Sequence, residues 1–255
     1  MKESLNLIDR VAVITGGSRG IGRVVAERLA EAGMSVVVNY VRNGRAASET
    51  VQAIEQSGGR ALAVRADVTR LEEAEKLVTE GRKHFGRIDV LVCNAGVWEG
   101  APVEELTEAL WDRVLEINLR GTWTVCRAAV PFMKEQRFGR IVIVSSTAGQ
   151  RGEANVSNYA ASKGGQISFA KSLAVELADY NITVNVVAPG WVDTEMNAGV
   201  FADVKFRRNI ESSIPLKRIA TADDIARPIV FLCSEWARHI TGEVLNVNGG
   251  SVLCG

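Results

Sequence analysis

Seven short runs of β-branched and apolar residues recur along this chain, separated by stretches of helical periodicity, and that alternation limits the folds open to it. The runs cover residues 11–15, 35–40, 61–65, 88–93, 140–145, 182–188 and 243–246. Most are apolar at nearly every position instead of at alternate ones. Strands of that kind are covered on both faces, which predicts a parallel sheet with helices above and below. Gly33, Gly58 and Gly86 stand where three helices should stop. Thr69-x-x-Glu72 predicts a capping box opening the helix that runs toward His84. The helical pattern from Thr107 falters at Asn118–Gly121 and resumes to Lys134. Right-handed β-α-β crossovers then give a doubly wound, seven-stranded parallel sheet of the α/β class, its ligand crevice at the strands' carboxyl ends.

The 255 residues suffice for one large domain of this kind, 1–255, and the sequence shows no linker, repeat or low-complexity stretch to divide it. Lys plus Arg and Asp plus Glu number 30 each, so the chain lacks the basic surplus of a nucleic-acid binder. The first nine residues are too polar and short for a secretion signal, and no apolar run is long enough to cross a bilayer. Cys93, Cys126, Cys233 and Cys254 are scattered without C-x-x-C spacing, which reads as reduced packing thiols and no metal site. A cytoplasmic protein is the expectation. The least regular stretch, 192–215, carries Met196, Phe201 and Phe206 among charges. It reads either as a solvated helical excursion or as a lid over the crevice, and its length favours the lid.

Thr15-Gly16-Gly17-Ser18-Arg19-Gly20-Ile21-Gly22 follows the first strand and opens the first helix. Gly16 lets the chain turn sharply, Gly20 clears the approach of a diphosphate, and Gly22 lets helix and strand pack closely. The helix start adds free N–H groups and the positive end of its dipole. A glycine cluster alone is weak evidence, but after strand one of a βαβ chain it points to a dinucleotide. The second strand ends Asn39-Tyr40-Val41-Arg42, without the acid that would bond a ribose 2′-hydroxyl. Arg19 and Arg42 instead suit a 2′-phosphate, which favours NADPH over NAD.

Tyr159-Ala-Ala-Ser-Lys163 places a phenol and an ammonium one helical turn apart on one face. A tyrosine near its ordinary pKa is a poor acid–base group, and a close cation favours its phenolate. By itself the pair is common and reads as packing. Its weight comes from company: Thr15 to Gly22, Asp67-Val68, Asn94-Ala95-Gly96, Asn118, Ser145-Ser146 and Pro189-Gly190.

In that order and spacing these motifs resemble the short-chain dehydrogenase/reductase family over essentially the whole chain. The resemblance implies a single-domain Rossmann fold and a catalytic tetrad of Asn118, Ser146, Tyr159 and Lys163. In it, hydride passes from a nicotinamide to a carbonyl carbon, Tyr159 gives a proton to the oxygen, and Ser146 orients that oxygen. Lys163 lowers the tyrosine pKa and binds ribose hydroxyls, while Asn118 holds a water leading from Lys163 to solvent. Asp67 and Val68 resemble adenine contacts, Asn94, Ala95 and Gly96 a ribose wall, and Val192 and Thr194 a carboxamide clamp. One departure stands out: Cys93 occupies a position where the family usually has an asparagine that braces the sheet. The resemblance also implies a homotetramer, paired through apolar helices spanning 107–134 and 157–180.

Within the family the chain looks most like bacterial 3-oxoacyl-[acyl-carrier-protein] reductases, on the glycine turn, Val38-Asn39-Tyr40 and the 240–250 segment. An acyl carrier protein is then a possible partner. Arg137 matches one basic residue that such enzymes set near the active-site mouth, but Tyr180 stands where another would be. Trp98, Glu99, Gln150, Arg151, Glu153, Trp191 and Met196 are the pocket-lining candidates, with Trp98 and Trp191 able to pack a ring or acyl chain. Glu99 and Glu153 would disfavour anionic substrates. A sugar, polyol, hydroxysteroid or small ketone stays open, as does an NAD-linked alcohol dehydrogenase. A non-catalytic dinucleotide sensor is disfavoured, because all four tetrad positions are filled.

Overall fold

The computed structural model describes residues 5–253; Cys254 lies outside them. Seven parallel strands form one sheet: β1 (Val11–Ile14), β2 (Ser35–Tyr40), β3 (Arg60–Arg65), β4 (Val90–Cys93), β5 (Gly139–Val144), β6 (Ile182–Pro189) and, near the carboxyl end, β9 (Val244–Val247). Their order across the sheet is β3-β2-β1-β4-β5-β6-β9, so the direction of winding reverses between β1 and β4. That switch point opens a crevice at the strand tips. A separate two-residue pairing joins β7 (Val192–Asp193) to β8 (Ala220–Thr221).

Both faces of each inner strand are apolar, and the period-two alternation sorts them into two layers. Ala12, Ile14, Val36, Val38, Val90, Val92, Val142 and Val144 face one side. There they meet α1 (Gly20–Glu31), α2 (Gly44–Gln56) and α10 (Ala222–Cys233). Val11, Val13, Val37, Leu91, Cys93, Ile141, Ile143 and Val184 face the other. On that side lie α3 (Leu71–Phe85), α5 (Gly121–Gln136) and α7 (Ser157–Leu177). The doubly wound sheet expected from the sequence is the one observed.

Gly33, Gly58 and Gly86 adopt φ of 101°, 80° and 86° at the ends of α1, α2 and α3, as their helix-stopping role requires. The capping box at Thr69 does not form. The Thr69 N–H and hydroxyl both donate to Asp67 Oδ1, at 3.0 and 2.8 Å, and α3 starts later without a side-chain cap. Asp67 wins because its short carboxylate closes a turn two residues on, leaving the threonine oxygen unable to reach the helix. The strand expected from residue 88 begins at Val90, since the Gln136 side chain takes both backbone groups of Ile88, at 3.1 and 2.7 Å, away from the sheet. Cys93 packs its Sγ 3.7 Å from that of Cys126 on α5, so sulfur contact fills the place of the usual asparagine.

The faltering helix resolves into α4 (Glu108–Leu115), one turn of π-helix at Glu116–Arg120, and α5. Such a bulge adds one residue to a turn and is common at functional sites. Beyond β7 come α8 (Ala198–Phe201) and α9 (Val204–Ser213), held around a small core of Phe201, Ile210, Ile214 and Ile219. The short α6 (Ala148–Arg151) completes the elements around the crevice.

Candidate active site

The glycine turn is shaped by hard contacts. Gly16 and Gly20 hold φ of 62° and 53°, where a β-carbon is strained. A β-carbon on Gly22 would lie 2.3 Å from the Gly16 oxygen and 2.5 Å from Asn94 Nδ2, so α1 packs against the turn as expected. Thr15 Oγ1 accepts from the N–H groups of Asn94 and Ala95 at 2.9 and 3.0 Å, and Asn94 Nδ2 donates to the Thr15 and Gly16 oxygens. Asn94 therefore fastens the β4 tip to the β1 tip. Asn39 does the same on the other side, accepting from the Gly16 N–H at 3.2 Å and donating to the Ala66 oxygen at 2.9 Å. These braces leave the first N–H groups of α1 free at the turn's outer side, the donor set a diphosphate needs.

Around the turn, Ser18 is buried and Ile21 packs on the core, while Arg19 and Arg42 are exposed. Tyr40 sets its ring against Gly44 at the start of α2. Asp67 and buried Val68 sit at the β3 tip, where the Val68 oxygen accepts from Thr124 and ties the loop to α5. Across the crevice Thr194 and Glu195 face Gly20, at 3.7 and 3.5 Å from where its β-carbon would stand. The Pro189 oxygen accepts from the Thr147 N–H at 2.9 Å, and Gly190 packs on Asn248. Val192 is buried in the short β7–β8 pairing.

The two serines after β5 divide their work. Ser145 is buried and donates to the Lys163 backbone oxygen at 2.8 Å, fastening α7 to the sheet. Ser146 is half-buried, its Oγ accepting from the Ala148 N–H at 3.1 Å and lying close enough to the Tyr159 hydroxyl to ease its ionisation. Lys163 is buried, with Nζ donating to the Val144 oxygen at 2.8 Å and lying 5.7 Å from the centre of the Tyr159 ring.

Asn118 sits inside the π-turn, fully buried. Its side chain clasps the Val97 backbone, accepting from the N–H at 2.8 Å and donating to the oxygen at 3.0 Å, and donates to Ser162 Oγ at 3.0 Å. Its backbone oxygen accepts from Thr122 and Gln166, at 2.7 and 2.8 Å. Gly96 lies between the groups, since its β-carbon would stand 3.1 Å from Asn118 Oδ1 and 3.7 Å from Lys163 Nζ. The fold thus brings Asn118, Ser146, Tyr159 and Lys163 to one end of the sheet.

The electrostatics depart from the sequence-based expectation. Burial pushes the Tyr159 phenol up to about 12, against the relief that the Ser146 hydrogen bond gives. Burial also brings the Lys163 ammonium down to about 7. Lys163 does not lower the tyrosine here, for desolvation has weakened its own charge and its Nζ is turned to Val144. Tyr159 holds its proton firmly.

The roles of three residues of the site escaped the sequence reading. Ser162 donates to the Tyr159 backbone oxygen and accepts from Asn118; Gln166 fixes the π-turn; Thr15 ties two strand tips. The available signal was polarity on the inner face of α7, where Asn158, Ser162, Lys163 and Gln166 precede Ala170, Ala174 and Leu177. Two expectations are corrected. Glu99 pairs with Arg113 at 2.9 and 3.2 Å and cannot repel an anion as a free charge would, although burial raises the half-buried Glu153. Arg137 precedes β5, whereas Ser146 follows it, so about 20 Å of strand separates Arg137 from its own chain's crevice mouth. Arg137 donates to the Asp179 oxygen instead.

The family model described as Enoyl-(Acyl carrier protein) reductase matches residues 16–251. The chain belongs to the short-chain dehydrogenase/reductase family. A 3-oxoacyl-[acyl-carrier-protein] reductase of Synechocystis is 40% identical over 248 residues, 97% of this chain and 98% of that one. The enzyme of that name from Staphylococcus epidermidis is 38% identical over 246 residues, 96% of this chain and all of that one. Among solved structures, a putative short-chain alcohol dehydrogenase from Sinorhizobium meliloti matches with TM-score 0.91 and 37% identity, covering 95% of this chain and 96% of that one. Levodione reductase matches with TM-score 0.91 and 34% identity, covering 95% and 97%. This family member is an oxidoreductase acting on CH–OH or C=O groups with a nicotinamide dinucleotide.

Proposed function

We propose that the chain is an NADPH-dependent reductase of ketones, with 3-oxoacyl thioesters as its substrate class and Tyr159 as its acid. The observation that carries the reading is the meeting of Ser146, Tyr159 and Lys163 beyond β5, with Lys163 Nζ 5.7 Å from the centre of the Tyr159 ring and a phenol that burial keeps protonated. The full-length relatives named as 3-oxoacyl-[acyl-carrier-protein] reductases support the substrate class. The carbonyl is thioester-linked or small, and an acyl carrier protein is one possible carrier. Polyol or sugar oxidation is the second reading, favoured only by the many activities this fold supports.

The residues present fit a dinucleotide carrying a 2′-phosphate. The glycine turn leaves α1 donors free, and Arg19 and Arg42 are exposed beside it while no acid ends β2. Gly16, Ser18, Gly20, Ile21 and Gly22 would receive the diphosphate, Asp67 and Val68 the adenine, and Asn94, Ala95 and Gly96 the near ribose. Pro189, Gly190, Val192 and Thr194 would flank the nicotinamide end. When bound, the dinucleotide supplies the hydride that the carbonyl carbon receives. Ser146 orients the carbonyl oxygen, Tyr159 donates its hydroxyl proton to it, and Lys163 holds ribose hydroxyls and returns a proton to the tyrosine. Asn118 contributes by fixing the Val97 backbone and α7. Both lone pairs of its carbonyl are engaged by Thr122 and Gln166, so a proton path past it would have to share them.

The whole chain acts as one cytoplasmic catalytic unit in which 192–215 is the lid; among the described residues no helix is long and apolar enough to cross a membrane. The test is oxidation of NADPH and of NADH with acetoacetyl thioester, an aromatic ketone and a keto-sugar. NADPH with acetoacetyl thioester should be fastest, and replacing Arg19 and Arg42 by Ala should cost about tenfold or more in kcat/KM for NADPH while sparing NADH. Preference of the native enzyme for NADH would overturn the cofactor assignment.

A further inference from the structure

Two tryptophans close the crevice from opposite walls. Trp98 stands on the loop after β4, two residues beyond Gly96, whose missing β-carbon would lie 3.7 Å from Lys163 Nζ. Trp191 follows Gly190 at the β6 tip, next to the Thr147–Pro189 contact that joins it to the Ser146 loop. The rings meet edge to face with centroids 5.6 Å apart. That is direct contact. A chain or ring lying between two aromatic faces needs about 3.5–4.0 Å on each side, or about 7–8 Å in all. Nothing passes between Trp98 and Trp191 as they stand.

The two rings are not equally free. Trp191 packs on Phe201 and Phe206, at 5.7 and 6.1 Å, and joins the small core of Ile210, Ile214 and Ile219. Its backbone oxygen accepts from the Ala220 N–H at 3.1 Å, which fixes it to β8. The Asp193–Arg207 pair at 2.7 Å fastens the same segment. Trp191 is therefore part of a built wall. Trp98, half-buried, joins none of the apolar clusters among the described residues and meets Trp191 edge to face.

Resting on the reductase reading above, we propose that Trp98, braced against Trp191, sets the upper size limit of the substrate. The enzyme takes ketones whose carbonyl carries compact apolar groups, a ring or a few carbons, and Trp98 excludes long chains. The rings of Trp98 and Trp191, 5.6 Å apart, are the apolar groups that meet across the crevice, so discrimination by size falls to them.

The experiment measures kcat/KM with NADPH for N-acetylcysteamine thioesters of 3-oxobutanoate and 3-oxodecanoate, in the native enzyme and in Trp98→Ala and Trp98→Phe. The native enzyme should prefer the short chain by about tenfold or more. Trp98→Ala should raise the ratio of long-chain to short-chain kcat/KM by about tenfold, whereas Trp98→Phe keeps most of the limit. Equal rates for both chains in the native enzyme would overturn the proposal and leave the reductase reading intact, and this comparison needs no variant. Trp98→Ala lowering both chains alike would also overturn it, marking Trp98 as structural. Turnover of neither thioester would overturn the reductase reading for this substrate class and the size limit with it.

Discussion

The phenol of Tyr159 and the amine of Lys163 share one environment and respond to it in opposite directions. Burial favours the neutral form of each, so the tyrosine keeps its proton and the lysine gives one up near neutrality. The helical spacing of the pair was plain in the sequence. The sign of its effect was not, because desolvation depends on what β5 and the strand tips bring against α7. Lys163 also makes a stability prediction. Its folded pKa of about 7 lies below the usual lysine value of 10.5, so the unfolded chain binds the extra proton between those limits. Stability should rise with pH across that window. Lys163→Met should raise Tm at pH 7, by about 2–4 °C for each kcal/mol recovered, and the gain should shrink toward pH 10. A gain independent of pH in thermal melts would contradict a buried lysine of this kind.

At the scale of elements, apolar runs revealed the strands and left-handed glycines the helix ends, since both follow from local chemistry. The capping box failed because Asp67 offered Thr69 a nearer acceptor. The pause at Asn118 was visible as a break in periodicity, but that it is a π-turn holding the Val97 backbone depends on contacts from α7 and the β4 loop. The glycine turn shows how closely elements interlock. Gly22→Ala would drive a methyl against the Gly16 oxygen and Asn94. It should cost about 1–3 kcal/mol of stability. By opening the turn it should also weaken dinucleotide binding about tenfold or more in a calorimetric titration. Unchanged affinity would mean that the turn does not hold the diphosphate.

For the whole molecule, the sheet order places the β1, β4 and β5 tips side by side, so motifs eighty residues apart converge on one crevice. The family's fold and its four polar positions were legible in the sequence because their order is fixed by the winding of the sheet. The substrate was not legible, since the proposed size limit depends on how Trp98 on the β4 loop meets Trp191 at the β6 tip. The helices of the outer face add a further expectation. Leu119, Trp123 and Phe169 line a groove between the π-turn, α5 and α7, and Trp123 is 39% exposed. This groove, which Asp112, Glu116 and Arg120 also line, would lie between subunits in the homotetramer that the family resemblance implies; sedimentation should then show four chains, and a monomer at micromolar concentration would contradict it. These regions converge on one atom, the phenol oxygen of Tyr159. Tyr159→Phe, assayed by NADPH oxidation with acetoacetyl thioester and by NADPH titration, tests its role as the acid most directly. Turnover should fall by about a thousandfold or more while NADPH affinity stays within about threefold. Turnover within about tenfold of the native enzyme would show that another group supplies the proton.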